Sequence, residues 1–273
     1  MPQQTIGAPE SGNASIEAEV RARLSRRSSL PPLDLSTDYR SRNRIIEDRI
    51  RQHAHGETLR ILEAGCGNSW PLRLDGVRFV LTAVDVDKEA LEIRKSRIRD
   101  VDEIIVGDLR STDIFPPNSF DVIYNSFVLE HVRGAELVLD NFLRWLVPGG
   151  LLILRIPDRD SVYGFVTRIT PFWMHKLYKR YVEGFDKAGL AGHGPYPTYH
   201  DRIVSRRAIH QYCREHHCKV LNEMGHGQYL PKRPLLGPLV RTAVKSISLL
   251  SLGRLEWRHN NLTFIIQKSA LAS

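Results

Sequence analysis

Short apolar runs rich in β-branched residues alternate with amphipathic stretches through the middle of the chain. The apolar runs are 59–65, 77–87, 103–108, 120–127 and 151–158. Between them, 87–99 and 134–146 carry apolar residues at helical spacing. Alternation of strand and helix predicts βαβ units, and near-continuous apolar strands are typical of a sheet that is covered on both faces. The pattern therefore predicts an α/β domain with a doubly wound, mostly parallel sheet.

Periodic segments flank this central region on both sides. Residues 36–56 predict a helix in which Ser36 is the N-cap and Gly56 follows the last turn. Toward the other end of the chain, the pattern predicts a helix over about 205–216 and strands at 218–224 and 261–269. The sheet therefore gains strands after the alternating region ends.

Three segments depart from the alternation. Residues 157–206 are dense in aromatic side chains, which predicts a packed helical cap inserted after the fifth strand. Residues 1–35 are polar and predict a mobile arm, either a solvated tail or a lid, before a domain spanning 36–273. Residues 230–259 mix leucines with basic residues, as in a core-packing helix with a basic outer face or a segment lying on an anionic membrane.

Composition narrows the class of protein. The 273 residues carry a formal net charge of +8, which favours acidic partners without naming one. Three cysteines exclude a disulfide framework and fit a reducing compartment. No stretch reaches the ~20 apolar residues of a membrane span, and the opening residues lack the apolar core of a secretory signal. We therefore expect a cytoplasmic protein, peripheral to the membrane if 230–259 binds one, of an oligomeric state that the sequence does not indicate.

A glycine-containing loop follows the first predicted strand. Gly65 and Gly67 lie on either side of Cys66, where the missing Cβ atoms would let backbone approach a ligand. A dinucleotide fingerprint needs a third glycine three residues later, and that position is Trp70. The loop therefore predicts a close backbone approach but disfavours pyrophosphate binding and an NAD-linked oxidoreductase.

Polar side chains end the next predicted strands. Asp85 ends the second strand, twenty residues after Gly65, where a carboxylate can accept hydrogen bonds from ribose hydroxyls. Asp108 ends the third strand and suits an exocyclic amine such as that of adenine, and Asn125 ends the fourth. Because ligands of doubly wound sheets bind outside the carboxyl ends of the strands, we expect these groups to line one crevice.

The motifs LEAGCGNS, AVDVD, VGDL, FDVIYNSFVLEHV and LVPGGLLILRIPD, in this order over about 58–158, resemble the class I S-adenosylmethionine-dependent methyltransferases, and most closely the type 11 small-molecule group. The resemblance implies a Rossmann-like seven-stranded sheet whose last strand, 261–269, is antiparallel. It also implies S-adenosylmethionine as the cofactor. The cofactor-binding residues that follow are Glu63, Gly65, Cys66 and Gly67 in the loop, Asp85 and Val86 at the ribose, Asp108 and Leu109 at the adenine, and Asn125, Ser126 and Phe127 beneath the sulfonium.

The acceptor side is less defined by the sequence. We predict methyl transfer to an O, N or C atom of a small, partly apolar or lipid-like molecule held under the aromatic cap. His193 and His200 are the candidate bases, because histidine changes charge near neutral pH and both lie in HGPYPTYHD (193–201). Loop histidines that only satisfy backbone groups are an open alternative.

Two other clusters suit metal ligation by residue type. Glu130 and His131 adjoin, as the last two residues of a metal set known in some relatives of this family do, but the first residue of that set, a glutamate three residues earlier, is Phe127 here. His210, Cys213 and His217 would share a helix face, yet Cys213-x4-Cys218 is not a usual zinc spacing. We interpret both clusters as structural and predict no metal.

Two further functions remain open. One is a non-methylating protein that binds S-adenosylmethionine as a regulator or scaffold, since a fold does not determine an activity. The other is a nucleic-acid methyltransferase, which the basic charge permits. No RNA-binding module is visible, and NSFV (125–128) stands where base-amino methyltransferases carry an NPPY-like tetrad.

Overall fold

The computed structural model describes residues 30–35, 38–67, 69–182, 184–186, 196–199, 201–227 and 237–270. Contacts divide the chain into two units, Met1–Leu33 and Asp34–Ser273. Every helix and strand given below belongs to the second unit. The predicted arm over 1–35 falls almost entirely outside the described residues and stays a prediction.

The sheet has seven strands in the order β3-β2-β1-β4-β5-β7-β6. They are β1 (Leu59–Ala64), β2 (Phe79–Asp85), β3 (Glu103–Val106), β4 (Phe120–Ser126), β5 (Leu146–Pro157), β6 (Lys219–His226) and β7 (Asn261–Gln267). The first five strands pair in parallel, and β7 is antiparallel to both β5 and β6. This confirms the predicted sheet and its antiparallel last strand. The strand order reverses between β1 and β4, which is where ligands bind in such sheets.

The helices are α1 (Tyr39–His53), α2 (Lys88–Ile93), α3 (Ala135–Trp145), α4 (Val162–Ile169), α5 (Phe172–Leu177), α6 (Arg206–Glu215) and α7 (Gly237–Leu250). Short π-helical turns extend α2 over Arg94–Ile98 and α5 over Tyr178–Val182, and a 3₁₀ turn spans Leu129–His131. The first helix begins later than predicted. Its N-cap is Asp38, which accepts a hydrogen bond from the Ser41 amide, whereas the predicted cap, Ser36, lies outside the described residues.

The first helix is packed on the sheet by a narrow apolar stripe. Ile46 and Ile50 are fully buried and share one core cluster with Ile61, Val122 and Ile153, which come from three parallel strands. Each strand residue of this cluster points to the same face, since alternate side chains of a strand share a face. The stripe that the sequence shows on 45–50 therefore sets which face of the sheet α1 covers.

Helices follow β5 where the aromatic-rich cap is predicted. They are α4, α5 and the π-helical turn after α5, and they leave aromatic side chains such as Trp173 and Tyr181 exposed. Much of the rest of 157–206 lies outside the described residues, so a cap over the acceptor stays a prediction.

The basic segment does not form a core helix over its described part. Helix α7 fully buries only Gly237 and Ser248. It contacts α4, and Val240, Val244 and Ile247 are half-buried. Leu239 is 66% exposed, so the helix packs on the domain by one face and is not a core helix. None of the helices in the described part of the chain is long and apolar enough to cross a membrane.

Candidate functional site

Two glycines shape the loop after β1, and a side chain at each position would have a different effect. Both have positive φ, +77° at Gly65 and +51° at Gly67, a region that favours glycine. A Cβ on Gly65 would come within 2.2 Å of the Val128 side chain, so this glycine is required by packing within the protein. A Cβ on Gly67 would meet no atom of the described residues within 4 Å. Space for a ligand beside the backbone therefore lies at Gly67 rather than at Gly65.

Asp85 ties the loop to the end of β2. Its Oδ2 accepts a hydrogen bond of 3.1 Å from the Cys66 amide, and its Oδ1 accepts one of 3.0 Å from the Asp87 amide. The N-cap of α2 is Asp87, whose side chain accepts from the Ala90 amide, so Asp85 is free of the capping role that its position also allowed. The Asp85 carboxylate therefore faces the glycine loop.

Beneath the loop lies a buried ion-pair network that sequence reasoning missed. The Arg94 guanidinium is 1% exposed, and it donates to Glu63 at 2.6 Å, to Asp100 at 3.0 Å and to the Cys66 carbonyl. Asp100 in turn accepts a 2.6 Å hydrogen bond from the Trp70 amide. The sequence predicts that Glu63 binds the cofactor. In the structure its carboxylate accepts from Arg94, which also bonds the Cys66 carbonyl, so Glu63 stabilises the loop through Arg94.

Cys66 is a packing residue in this structure. Its side chain is 1% exposed, and burial raises the pKa of its thiol to about 12. At neutral pH the thiolate that a nucleophile requires is therefore not formed. Its backbone, by contrast, bonds both Asp85 and Arg94.

The acid after β3 is partly covered by a neighbour. Arg110 donates to both Asp108 oxygens from Nε at 3.0 and 3.1 Å and from Nη2 at 2.5 Å. These bonds hold the pKa of the Asp108 carboxyl below its ordinary value. Both side chains are largely exposed, so the pair is one that a ligand amine can replace at small cost. Leu109 beside them is buried, and its carbonyl accepts from Asn141.

The end of β4 combines buried polar and exposed apolar groups. Asn125 is fully buried and donates to the Ala64 carbonyl, whereas its Oδ1 has no hydrogen-bond partner among the described residues. Phe127 has a positive φ of +56° and is 39% exposed, and Val86 beyond β2 is 70% exposed. Because β1, β2 and β4 are neighbours, these residues and Ser126 lie along one edge of the sheet.

A strap of 196–199 lies against the turn after β4. The Tyr199 amide donates to the Glu130 carbonyl at 2.8 Å, and His131 Nδ1 lies 2.7 Å from the Pro197 carbonyl oxygen. Glu130 is 4% exposed, its Oε2 makes no hydrogen bond to a described residue, and burial raises the pKa of its carboxyl to about 8. The carboxyl is therefore protonated at neutral pH. His193 and His200, the candidate bases, lie outside the described residues.

The second candidate metal cluster is separated by the fold. His217 follows α6 with a left-handed φ of +54°, so it does not share the helix face that the sequence suggested. His210 Nε2 lies 3.2 Å from Glu223 Oε2, and burial raises the pKa of the Cys213 thiol to about 12. Within the described residues, no three His, Cys, Asp or Glu side chains are grouped as a metal site requires.

Comparison with protein families and curated proteins identifies relatives of this region. Residues 62–154 match the family model described as a methyltransferase domain. A probable S-adenosylmethionine-dependent methyltransferase of Mycobacterium tuberculosis is 28% identical over 60% of this chain and 60% of its own length. The demethylmenaquinone methyltransferase of Clavibacter sepedonicus is 32% identical over 41% of this chain and 45% of its own, and the phosphatidylethanolamine N-methyltransferase of Cereibacter sphaeroides is 26% identical over 39% and 54%. The match thus spans at most about 60% of the length of these relatives.

Solved structures support the same fold. A structure described as a SAM-dependent methyltransferase from Methanosarcina mazei superposes with a TM-score of 0.50, covering 81% of this chain and 98% of that one at 14% sequence identity. At this identity the likeness concerns the fold alone, and it agrees with the seven-stranded sheet described above. The match of residues 62–154 to the methyltransferase-domain family, the order of the motifs and the seven-stranded sheet all agree with the class I S-adenosylmethionine-dependent methyltransferases.

Proposed function

We propose that the protein binds S-adenosylmethionine at the carboxyl ends of β1 to β4 and transfers its methyl group to a small acceptor. The observation that carries this proposal is the open space at Gly67 beside the carboxylate of Asp85. S-adenosylmethionine presents a sulfonium, an ammonium and two ribose hydroxyls, all of which suit carboxylates. A pyrophosphate would instead be repelled by Asp85 and Asp108.

The residues along this edge fit the parts of the cofactor. Asp85 would accept from the ribose hydroxyls, and Asp108 with Leu109 would contact the adenine once Arg110 has released the carboxylate. The exposed apolar side chain of Val86 would cover a face of the adenosyl group. Asn125, Ser126 and Phe127 would form the floor beneath the sulfonium, which supplies the methyl group as an electrophile.

Methyl transfer from a sulfonium is a direct displacement, so the chain contributes alignment and exclusion of water. A base is needed only where the acceptor atom must lose a proton. We assign that role to His200, with His193 as the alternative. We expect His200→Ala to lower turnover of a hydroxyl or amine acceptor by about 100-fold or more while affinity for S-adenosylmethionine stays unchanged. Turnover equal to that of the unaltered protein would remove His200 from the mechanism.

The acceptor in this proposal is small and partly apolar, or lipid-like. Exposed aromatic side chains after β5 support it, among them Trp173, Tyr181, Phe185, Tyr196 and Tyr199. Two curated relatives, whose names refer to demethylmenaquinone and phosphatidylethanolamine, are consistent with such an acceptor. The atom that receives the methyl group, O, N or C, is found by analysing the labelled product.

Calorimetric titration with S-adenosylmethionine, NAD⁺ and a random oligonucleotide tests the proposal. We expect micromolar binding of the first and none of the other two, followed by transfer of a radiolabelled methyl group to small acceptors. Failure of folded protein to bind S-adenosylmethionine would contradict the proposal. Binding of S-adenosylmethionine without transfer to any acceptor would favour a regulator or scaffold. Salt-sensitive binding of the oligonucleotide would favour a nucleic-acid methyltransferase.

We also propose peripheral contact with an anionic membrane, through a leucine tip defined as Leu249, Leu250 and Leu252. These side chains at the end of α7 are 77%, 85% and 83% exposed, and Leu252 is held at a left-handed φ of +55°. Arg241 and Arg254, on the same segment, suit anionic head groups. Removing a leucine side chain from water contributes roughly 1.5–3 kcal/mol, so insertion of the tip would be favourable.

Cosedimentation with vesicles checks the leucine tip. We expect binding to vesicles that contain phosphatidylglycerol, weakened by salt and reduced at least tenfold in the variant Leu249→Ser, Leu250→Ser and Leu252→Ser. Leu137→Ser, which changes an exposed leucine on α3, is the matched control and should bind as the unaltered protein does. Equal binding by the triple variant, or no binding to any vesicle, would contradict membrane contact through this tip.

A further inference from the structure

A cluster of buried and half-buried, mostly polar side chains lies on the face of the sheet that α1 covers, on the part formed by β4, β5, β7 and β6. The strand register aligns Ser126 with Arg155, Arg155 with Thr263, and Thr263 with Met224, so these four side chains share one face. His226 is two residues after Met224 and therefore points to the same face. We call this group, with Arg42 and Asn43 of α1, the α1 cluster.

Arg155 is the centre of the α1 cluster, and its hydrogen-bond partners among the described residues are uncharged. The side chain is 4% exposed, and it donates from Nη2 to Asn43 at 2.5 Å and from Nη1 to the Tyr124 hydroxyl at 3.1 Å. The Tyr39 ring lies over the guanidinium at 5.5 Å. Its Nε is buried and has no hydrogen-bond partner in the part of the chain that the structure describes. A buried cation without an acidic partner is costly, so this geometry suits a ligand that brings a negative charge.

The surroundings of Arg155 add positive charge. Arg42 is 5% exposed, and burial together with the charge of Arg155 lowers the pKa of its guanidinium. Burial, followed by the charges of Arg42, Arg155 and His259, lowers the pKa of His226 to about 3, so His226 is neutral. The buried acids nearby have other partners: Glu63, in register with Tyr124, is bonded to Arg94, Glu47 of α1 accepts from the Arg73 amide, and Asp158 lies 2.8 Å from His259.

Further hydrogen-bonding atoms in the α1 cluster lack partners. His226 Nδ1 and Thr263 Oγ1 are buried and make no hydrogen bond to any described residue. Buried polar atoms of native proteins are nearly always satisfied, by protein, water or a ligand. A guanidinium, an imidazole and a hydroxyl on one face of the sheet are donors that suit an oxyanion.

We propose that Arg155, together with Arg42, binds an oxyanion of the methyl acceptor, either a carboxylate or a phosphate. This inference rests on the proposed function, and it adds the class of acceptor to it. In the register of β4 and β5, Arg155 lies opposite Ser126, which is proposed to lie beneath the sulfonium. Neighbouring strands are about 4.8 Å apart. The acceptor is therefore held by its anionic group one strand away from the atom that is methylated. The exposed Tyr39 ring covers the guanidinium and is the group that an entering anion displaces.

A purely structural arginine would pin α1 to the sheet without binding anions, and titrations separate the two roles. The probes are inorganic phosphate, succinate and a short-chain phosphatidic acid below its micelle concentration, each against sodium chloride at equal ionic strength. The first two report free phosphate and carboxylate, and the third reports a lipid headgroup. S-adenosylmethionine is titrated into the same samples.

We expect saturable binding of at least one probe to the unaltered protein and at least tenfold weaker binding to Arg155→Gln, with unchanged affinity for S-adenosylmethionine. Arg42→Gln is the second variant, and it should weaken the same probe if Arg155→Gln does not fold. Arg60→Gln is the control. Arg60 lies at the start of β1, away from the carboxyl ends of the strands, and pairs with Asp121, so this variant should bind the probe as the unaltered protein does. The inference is overturned if the unaltered protein binds S-adenosylmethionine but no probe, or if Arg155→Gln binds the probe equally well. If the unaltered protein does not bind S-adenosylmethionine, the proposed function is overturned instead. The two failures are distinguishable because binding of the probe and binding of S-adenosylmethionine are measured separately.

Discussion

Replacing Asp85 by alanine is expected to weaken binding of S-adenosylmethionine by about 30- to 150-fold, or roughly 2–3 kcal/mol. The substitution removes the carboxylate proposed to accept from the ribose hydroxyls. It also removes the acceptor for the Cys66 amide, which positions the loop next to Gly67. Both effects act on the same ligand, so the loss is larger than for a single neutral hydrogen bond. Calorimetric titration of the variant measures it.

Asp87 offers a matched control two residues away. Its carboxylate caps α2 through the Ala90 amide, so Asp87→Ala should lower stability by about 0.5–2 kcal/mol and leave cofactor affinity unchanged. Asp85→Asn keeps the size of the side chain and tests its charge. Equal affinity of Asp85→Ala and the unaltered protein would show that the ribose is held by other groups.

Replacing Arg94 by methionine is expected to lower the free energy of unfolding by about 3–5 kcal/mol. The guanidinium is 1% exposed and joins Glu63, Asp100 and the Cys66 carbonyl, so its removal leaves the Glu63 carboxylate buried without a cation. Burial already raises the pKa of Glu63 to about 7. Without Arg94 the pKa rises further. Stability is then retained at low pH, where the carboxyl is neutral in both states, and is lost as pH rises through the folded-state pKa.

Urea unfolding at pH 5 and pH 8 checks both the size and the sign of this effect. The loss should be greater at pH 8 than at pH 5. The double variant Arg94→Met and Glu63→Leu should recover much of the stability, because a buried pair replaced by apolar side chains is often neutral. Arg110→Met, which breaks the exposed pair with Asp108, is the control and should change stability little. If the loss of stability is the same at both pH values, the buried Glu63 carboxylate is not the cause of the destabilisation.

The architecture is largely readable from the sequence because each strand is a local pattern. Runs such as 120–127 and 151–158 are apolar on both faces, which only a covered parallel sheet accommodates. The ends of elements are less accurate, since they depend on caps. Asp38 rather than Ser36 begins α1, and β5 starts at Leu146, five residues before the predicted run. The extension of β5 includes Gly149 and Gly150, which the sequence pattern favours as a turn.

From the sequence, residues of the candidate site can be predicted only where they lie at the end of a predicted strand. Asp85 and Asp108 belong to that class. Arg94 does not, because its partner Glu63 is 31 residues away and only the packing of α2 on the loop joins them. Arg155 and Asn43 are 112 residues apart, and no periodicity signals their contact. A basic residue that the sequence pattern would place on the surface can therefore be buried in the folded protein, as Arg94 and Arg155 are.

The sequence by itself determined the class of fold, the order of the motifs and the strand ends at which the acids stand, because hydrophobic period and glycine spacing are properties of neighbouring residues. Only the tertiary structure decided which charges are buried and which apolar groups remain exposed. The Glu63–Arg94 pair, the α1 cluster around Arg155 and the leucine tip of α7 all depend on what packs against a side chain from a distant part of the chain. Burial sets the free energy of a charge or an apolar surface, and burial is a property of the folded chain rather than of any local segment.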